Sequence, residues 1–149
     1  MAACQENSPA YAALFAYYKK LAAVLADKAD LGVRMKAAYD KNQLLALKEI
    51  CEKEIPEIIQ NLEEMKVLRE DLWMSEAKPF GYELMDVKLG AVITRLHSAS
   101  RRVKKYLEVS IPQLEELEEV RLPYFDKNTH KRENRWSQII SGSDLNDTI

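Results

Sequence analysis

The chain reads as an all-α protein: an up-down-up antiparallel bundle of three long helices, followed by a short C-terminal helix and an extended tail. Three observations predict this. Apolar residues recur at helical spacing over long stretches, most regularly in threes and fours from Met85 to Leu107, the period of a helix with one buried face. Only four Gly and five Pro occur in 149 residues, of which 47% are hydrophobic and 31% charged, a composition that favours helix. The breaks at residues 40–43 and 78–81 are short, and short loops between long helices make antiparallel neighbours.

Residues 1–8 form an unpatterned leader ending in Ser8, a capping residue, before Pro9, which suits a first helical position. The first helix is expected to run to about Tyr39, with Leu14, Tyr17, Leu21, Val24, Leu31, Met35 and Tyr39 on its buried face. Its roughly 30 residues span ~45 Å. Asp40 to Gln43 form a turn in which Asn42 is the natural left-handed residue. The second helix runs from about Gln43 to Ser75 and presents Leu47, Ile50, Ile55, Ile58, Leu62, Met65, Leu68 and Leu72. Pro56 lacks an amide hydrogen and crowds the preceding turn, so a kink or break is expected between Glu52 and Ile55.

Pro79 cannot continue that helix, and the third begins just after Gly81. Its face is Met85, Leu89, Val92, Leu96, Ala99, Val103 and Leu107. Ser110-Ile111-Pro112 start a short acidic helix to about Glu119, and Pro123 closes the compact part. Residues 9–124 are thus read as one bundle domain. Residues 125–149 are a polar tail, extended around Trp136 to Ile140, with too few apolar residues to fold alone.

The net charge is −2, which gives no electrostatic case for nucleic acid or an anionic membrane as partner. No apolar run approaches the ~20 residues of a membrane span, and residues 1–8 hold no signal-peptide core, so cytoplasmic residence is the default expectation. Cys4 and Cys51 lack metal-ligand spacing and read as free thiols. His97 and His130 are isolated and are not read as metal ligands. No Gly-rich phosphate loop or nucleophile elbow calls for a cofactor or marks a catalytic centre.

Several residues admit a functional role beside a structural one. Glu83 and Asp86 share a helix face, and paired carboxylates can do acid–base work. They also stand in the first turns of the third helix, where the macrodipole favours negative charge, and a third role is contact across a domain interface. Gly90 falls mid-helix, where Gly costs ~1 kcal/mol relative to Ala; either something approaches that backbone or the cost is tolerated. Leu84, Val87 and Ala91 lie on a flank away from the core stripe and form a candidate docking surface. Trp73, Phe80 and Tyr82 cluster at the turn before this helix, as a bundle-end cap or a carbohydrate contact. Phe80, Tyr82, Glu83, Leu84, Asp86, Val87 and Gly90 are therefore the candidate interdomain residues. Lys28 and Glu54 fall in the apolar stripes of the first two helices at one height, and a partly buried ion pair between them is expected.

The words along the third helix carry a resemblance. Lys78-Pro79-Phe80-Gly81, Asp86-Val87-Lys88-Leu89-Gly90 and Arg95-Leu96 resemble the all-helical C-terminal domain of a bacterial branch of glycoside hydrolase family 20, the β-N-acetylhexosaminidases. Leu25 to Arg34, Ala37 to Tyr39, Leu114 to Glu119 and Arg121 to Tyr124 extend it over roughly residues 14–124. Two positions depart from the pattern: Lys88 stands where Arg is expected, and Ala91 where a second Gly is expected. The resemblance implies a domain that follows a catalytic barrel, which removes terminal β-linked N-acetylglucosamine or N-acetylgalactosamine. There the substrate acetamido group is the nucleophile, assisted by an Asp–Glu pair of the barrel. A (β/α)8 barrel needs at least ~200 residues, and nothing in this chain reads as one. The implied role is non-catalytic: packing on the barrel or pairing subunits, with a homodimer as one form. The alternative from another class is a free-standing helical module that binds a partner helix through Leu84, Val87 and Ala91.

Overall fold

The structure is a computed structural model that describes residues 11–119, and among these every regular element is a helix. The chain divides into two compact units between Leu114 and Glu115. The first unit holds α1 (Ala12–Lys28), α2 (Leu31–Asp40), α3 (Leu44–Glu49), a π-helical turn (Ile50–Glu54), α4 (Ile55–Glu76) and α5 (Glu83–Leu107). The second holds α6 (Glu115–Glu118) among its described residues. The Ser8-Pro9 start, Pro123 and the expected extended segment at Trp136 to Ile140 lie outside the described residues.

The expected single first helix is interrupted. Ala29 and Asp30 form a turn between α1 and α2; Asp30 is a residue type that favours caps, and Gly32 follows two positions later. The second long segment does distort at the place Pro56 dictates, but by widening rather than kinking. The Ile55 N–H donates to the Ile50 carbonyl, five residues back, which makes room for the proline ring beyond it. The short acidic helix also differs from its expectation. Ser110 to Pro112 form a bend outside any helix, and α6 has four residues.

Side-chain pairs between the α1–α2 and α3–α4 segments match early residues to late ones. Arg69 lies 5.8 Å over the Tyr17 ring, Lys20 meets Glu64 at 2.6 Å, and Arg34 meets Glu54 at 2.5 Å. That is the order antiparallel neighbours give. Between the second segment and α5 the order reverses in the same way. Cys51 lies 3.3 Å from Ser100, whereas the Tyr82 hydroxyl donates to the Lys66 carbonyl at 3.2 Å. The core they enclose is aliphatic: Val24, Leu31, Met35, Leu47, Ile50, Ile55, Ile58, Leu62, Met65, Leu72, Ile93, Leu96 and Val103 are all buried. No buried side-chain nitrogen or oxygen among the described residues lacks a hydrogen-bond partner, as a stable interior requires.

Two helix ends close the same way with different residues. After α2, the Gln43 N–H donates to the Ala38 carbonyl and the Asn42 N–H to the Tyr39 carbonyl, with Asn42 at φ 52°. After α5, the Ser110 N–H donates to Lys105 and the Val109 N–H to Tyr106, with Val109 at φ 58°. Both are Schellman closures, which need a left-handed residue. Asn adopts it readily; a β-branched residue does so under strain. Val109 is 86% exposed, so no burial offsets that strain. Val109→Gly is expected to stabilise the chain by about 1 kcal/mol in urea unfolding, with a smaller gain for Val109→Ala, which keeps the Cβ.

Candidate functional site

The turn before α5 is built around Trp73 near the end of α4. Its indole N–H donates to the Lys78 carbonyl at 2.8 Å, and its ring packs on Tyr82 at 5.9 Å between centroids. Arg69, one turn earlier, lies over both Trp73 at 5.3 Å and Tyr17 at 5.8 Å. A ladder Tyr17–Arg69–Trp73–Tyr82 therefore ties α1, α4 and the start of α5 together. Gly81 supplies φ 93°, which lets the chain reverse against Trp73. The Glu83 carboxylate reaches back to accept the Gly81 N–H at 2.8 Å.

This geometry separates the sequence candidates. Tyr82 is not an interdomain residue: it is 4% exposed, inside the bundle, on the same face as Leu89, Ile93 and Leu96. Burial pushes its phenol above the ordinary tyrosine range, with the Asp86 and Glu70 carboxylates adding to the shift. Phe80, two residues away, turns outward and is 85% exposed. Leu84 and Val87 are 37% and 45% exposed, and Ala91 is exposed as well. Met85, Leu89 and Val92 are half-buried or more open, whereas Leu96 is buried. The buried stripe also includes Ile93, which lies outside the expected face. Gly90 is half-buried, yet a Cβ placed there meets nothing within 4 Å. Glu83 and Asp86 are exposed, and Glu83 is engaged with the turn backbone rather than lining a cleft.

The expected Lys28–Glu54 pair is not formed. Glu54 is met by Arg34, whose Nη1 lies 2.5 Å from its Oε2. The same guanidinium donates from Nε to Asp30 at 2.9 Å and from Nη2 to the Asp27 carbonyl at 3.3 Å. Both neighbouring carboxylates hold the guanidinium proton and raise its affinity, Glu54 more than Asp30. The reason for the change of partner lies in the two irregularities. The interruption at Ala29–Asp30 offsets α2, and Arg34 with it, from the phase of α1, and the π turn ends on Glu54. An Arg on α2 also projects toward its helix's N-terminus, back over that interruption. Arg34 is visible in the sequence as the i+4 partner of Asp30; nothing local reveals its third partner across the bundle. Ala26, Asp27, Asp30, Arg34, Glu54 and Glu57 line a cleft of about 320 Å3 there. Its acidic groups are gathered about one cation, which is an ion-pair network rather than two carboxylates flanking a scissile bond. No grouping of His, Cys, Asp and Glu suited to a metal occurs among the described residues. Cys51 is a free, buried thiol bonded toward Ser100; Cys4 lies outside the described residues.

Compared with known proteins, residues 1–136 match the family model described as the Glycoside Hydrolase 20C C-terminal domain. No curated protein matches the chain.

A double-mutant cycle separates the two pairings. Arg34→Met combined with Glu54→Leu is expected to show a coupling of up to ~1 kcal/mol, since both groups are partly exposed. Lys28→Met with Glu54→Leu is expected to show none.

Proposed function

The chain belongs to the Glycoside Hydrolase 20C C-terminal domain family, and from that premise we propose that it is the non-catalytic helical domain of a β-N-acetylhexosaminidase. Its partner in this reading is the catalytic barrel of the parent protein, on which it packs or whose subunits it pairs. The observation that carries the proposal is the family match over residues 1–136 of a chain whose described elements are all helices. The outward side of α5 supplies the surface: Phe80, Leu84, Val87 and Ala91 recur at spacings of four, three and four and are exposed. Glu83 and Asp86 flank this row on one side, Lys88 and Arg95 on the other. A bundle needs one apolar face per helix; a second one is available to a partner.

Gly90 fits the same reading. The open space above it is where a docked surface can approach the α5 backbone closely. The residue three positions from Val87 then has a reason to lack a side chain. A free-standing helical module using the same row for a partner helix is the other reading this surface supports.

Two outcomes are expected. The purified chain releases no chromophore from an aryl β-N-acetylglucosaminide; turnover that persists through further purification refutes the non-catalytic assignment. Gly90→Ala stabilises the isolated chain by ~1 kcal/mol in chemical unfolding. The same change, like Val87→Asp, weakens the chain's association with a family 20 barrel supplied without its own helical domain. Unchanged association with either variant refutes the assignment of this face.

A further inference from the structure

A second apolar row lies on α1, away from the core. Tyr11, Phe15, Tyr18, Ala22, Leu25 and Ala29 follow one another at spacings of four, three, four, three and four, the alternation of a coiled-coil seam. The row runs from the residue before α1 to the residue after it. Val24, which anchors α1 in the core, is not part of it. Tyr11, Tyr18, Ala22, Leu25 and Ala29 are exposed or largely so, and Phe15 is half-buried. The Tyr18 ring is braced at 5.4 Å against Tyr17, itself held under Arg69, so the row sits on a fixed part of the bundle.

The order of side-chain sizes along this row identifies what fits it. Its first half is aromatic, with Tyr11, Phe15 and Tyr18; its second half is Ala22, Leu25 and Ala29. We propose that the row takes α1 of a second copy of this chain, antiparallel, about a two-fold axis level with Lys20. In that register all six positions fall in layers. Tyr11 lies against Ala29 of the second copy, Phe15 against Leu25, and Tyr18 against Ala22, each pair occurring twice by symmetry. Every small side chain receives a large one, as packing at constant volume requires. A parallel pair sets Tyr on Tyr and Ala on Ala, crowding one half and leaving the other hollow. Slipping the antiparallel register by a heptad keeps fewer layers.

The flanks permit the approach. Ala12 and Ala26 border the row on one side, where Lys19 is the charged neighbour; its long chain carries the ammonium clear of the seam. The row is a single stripe ~27 Å long on one helix, a narrower contact than the roughly 20–30 residues a side of a standard interface. The pairing is accordingly weak. It uses a different helix from the α5 surface and does not rest on the hexosaminidase reading.

Sedimentation equilibrium of the full 149-residue chain tests it, in a Cys4→Ser background that leaves Cys51 buried. The average mass should rise toward two chains with concentration, and Ala22→Glu should weaken the association at least tenfold while the helical circular dichroism is unchanged. Should Ala22→Glu disturb folding, Leu25→Gln on the same row replaces it. Orientation is read by mixing a Tyr18→Cys chain with an Ala22→Cys chain under mild oxidation. Disulfides between the two variants should exceed those within either. A chain that stays monomeric to about 1 mM, association indifferent to these substitutions, or a predominance of Ala22→Cys homodimers overturns the proposal.

Discussion

Pro56 has no amide hydrogen, and the way the bundle absorbs that loss shapes its middle. A proline one turn inside a long helix leaves a carbonyl unpaired and pushes its ring at the turn before it. The chain answers with the π turn at Ile50–Glu54, which keeps the helix running while widening it. Leu47, Ile50, Cys51, Ile55 and Ile58 remain buried through the distortion, so the hydrophobic face survives the extra residue. A wider turn also presents its last residue, Glu54, at an angle a regular helix would not give. Opposite it stands the other irregularity, the interruption between α1 and α2, which leaves carbonyls of its own to satisfy. Arg34 serves both defects with one planar fork: the Asp27 carbonyl, the Asp30 carboxylate and the Glu54 carboxylate. A lysine, with a single compact ammonium on a flexible stem, lacks that reach in three directions.

The same two defects mark the boundary of what sequence patterns reveal. Local rules are written in one chain segment and hold in one segment. Asn42 as the left-handed residue, Pro79 as a stop, Gly81 before a new helix and Pro56 as a site of distortion are all legible, and the structure places each there. The all-helical class is legible too, because it rests on a periodicity repeated over a hundred residues. The ion pair is not. It depends on the relative rotation of two helices, and each helix carries a phase change that a constant 100° per residue ignores. An error of that kind accumulates past the defect, where Arg34 lies, so a regular helical projection picks out the right carboxylate but misses Arg34 as its partner. Tyr82 departs from expectation for a related reason. As part of a turn it groups with Phe80; in the folded chain it is the residue at which the buried face of α5 begins.

The three aromatic residues at that turn show how one local sequence divides between inside and outside. Trp73 and Tyr82 pack on each other beside the cation of Arg69, with Tyr82 closing on the Lys66 carbonyl. The left-handed Gly81 between Phe80 and Tyr82 sends them to opposite sides. Fixing Tyr82 in the core therefore fixes Phe80 in solvent. The exposure of Phe80, Leu84 and Val87 is a consequence of a rigid turn rather than of loose packing, and a surface held in this way loses little entropy when it is covered.

The two outward rows differ in what they can recognise. On α5 the apolar residues are flanked by Glu83 and Asp86 on one side and by Lys88 and Arg95 on the other. Two copies of that helix laid antiparallel bring basic flank to basic flank, because like flanks face each other about a two-fold axis. The α5 row therefore suits a surface other than itself. On α1 the flanks are mostly Ala and Leu, and the sizes along the row complement themselves only when one copy is reversed. Charge pattern thus turns one row outward to a different surface, and size pattern turns the other toward its own kind. The two assignments are compatible because they draw on separate helices joined by the Tyr17–Arg69–Trp73 ladder. Whatever binds one row meets a bundle already braced behind it.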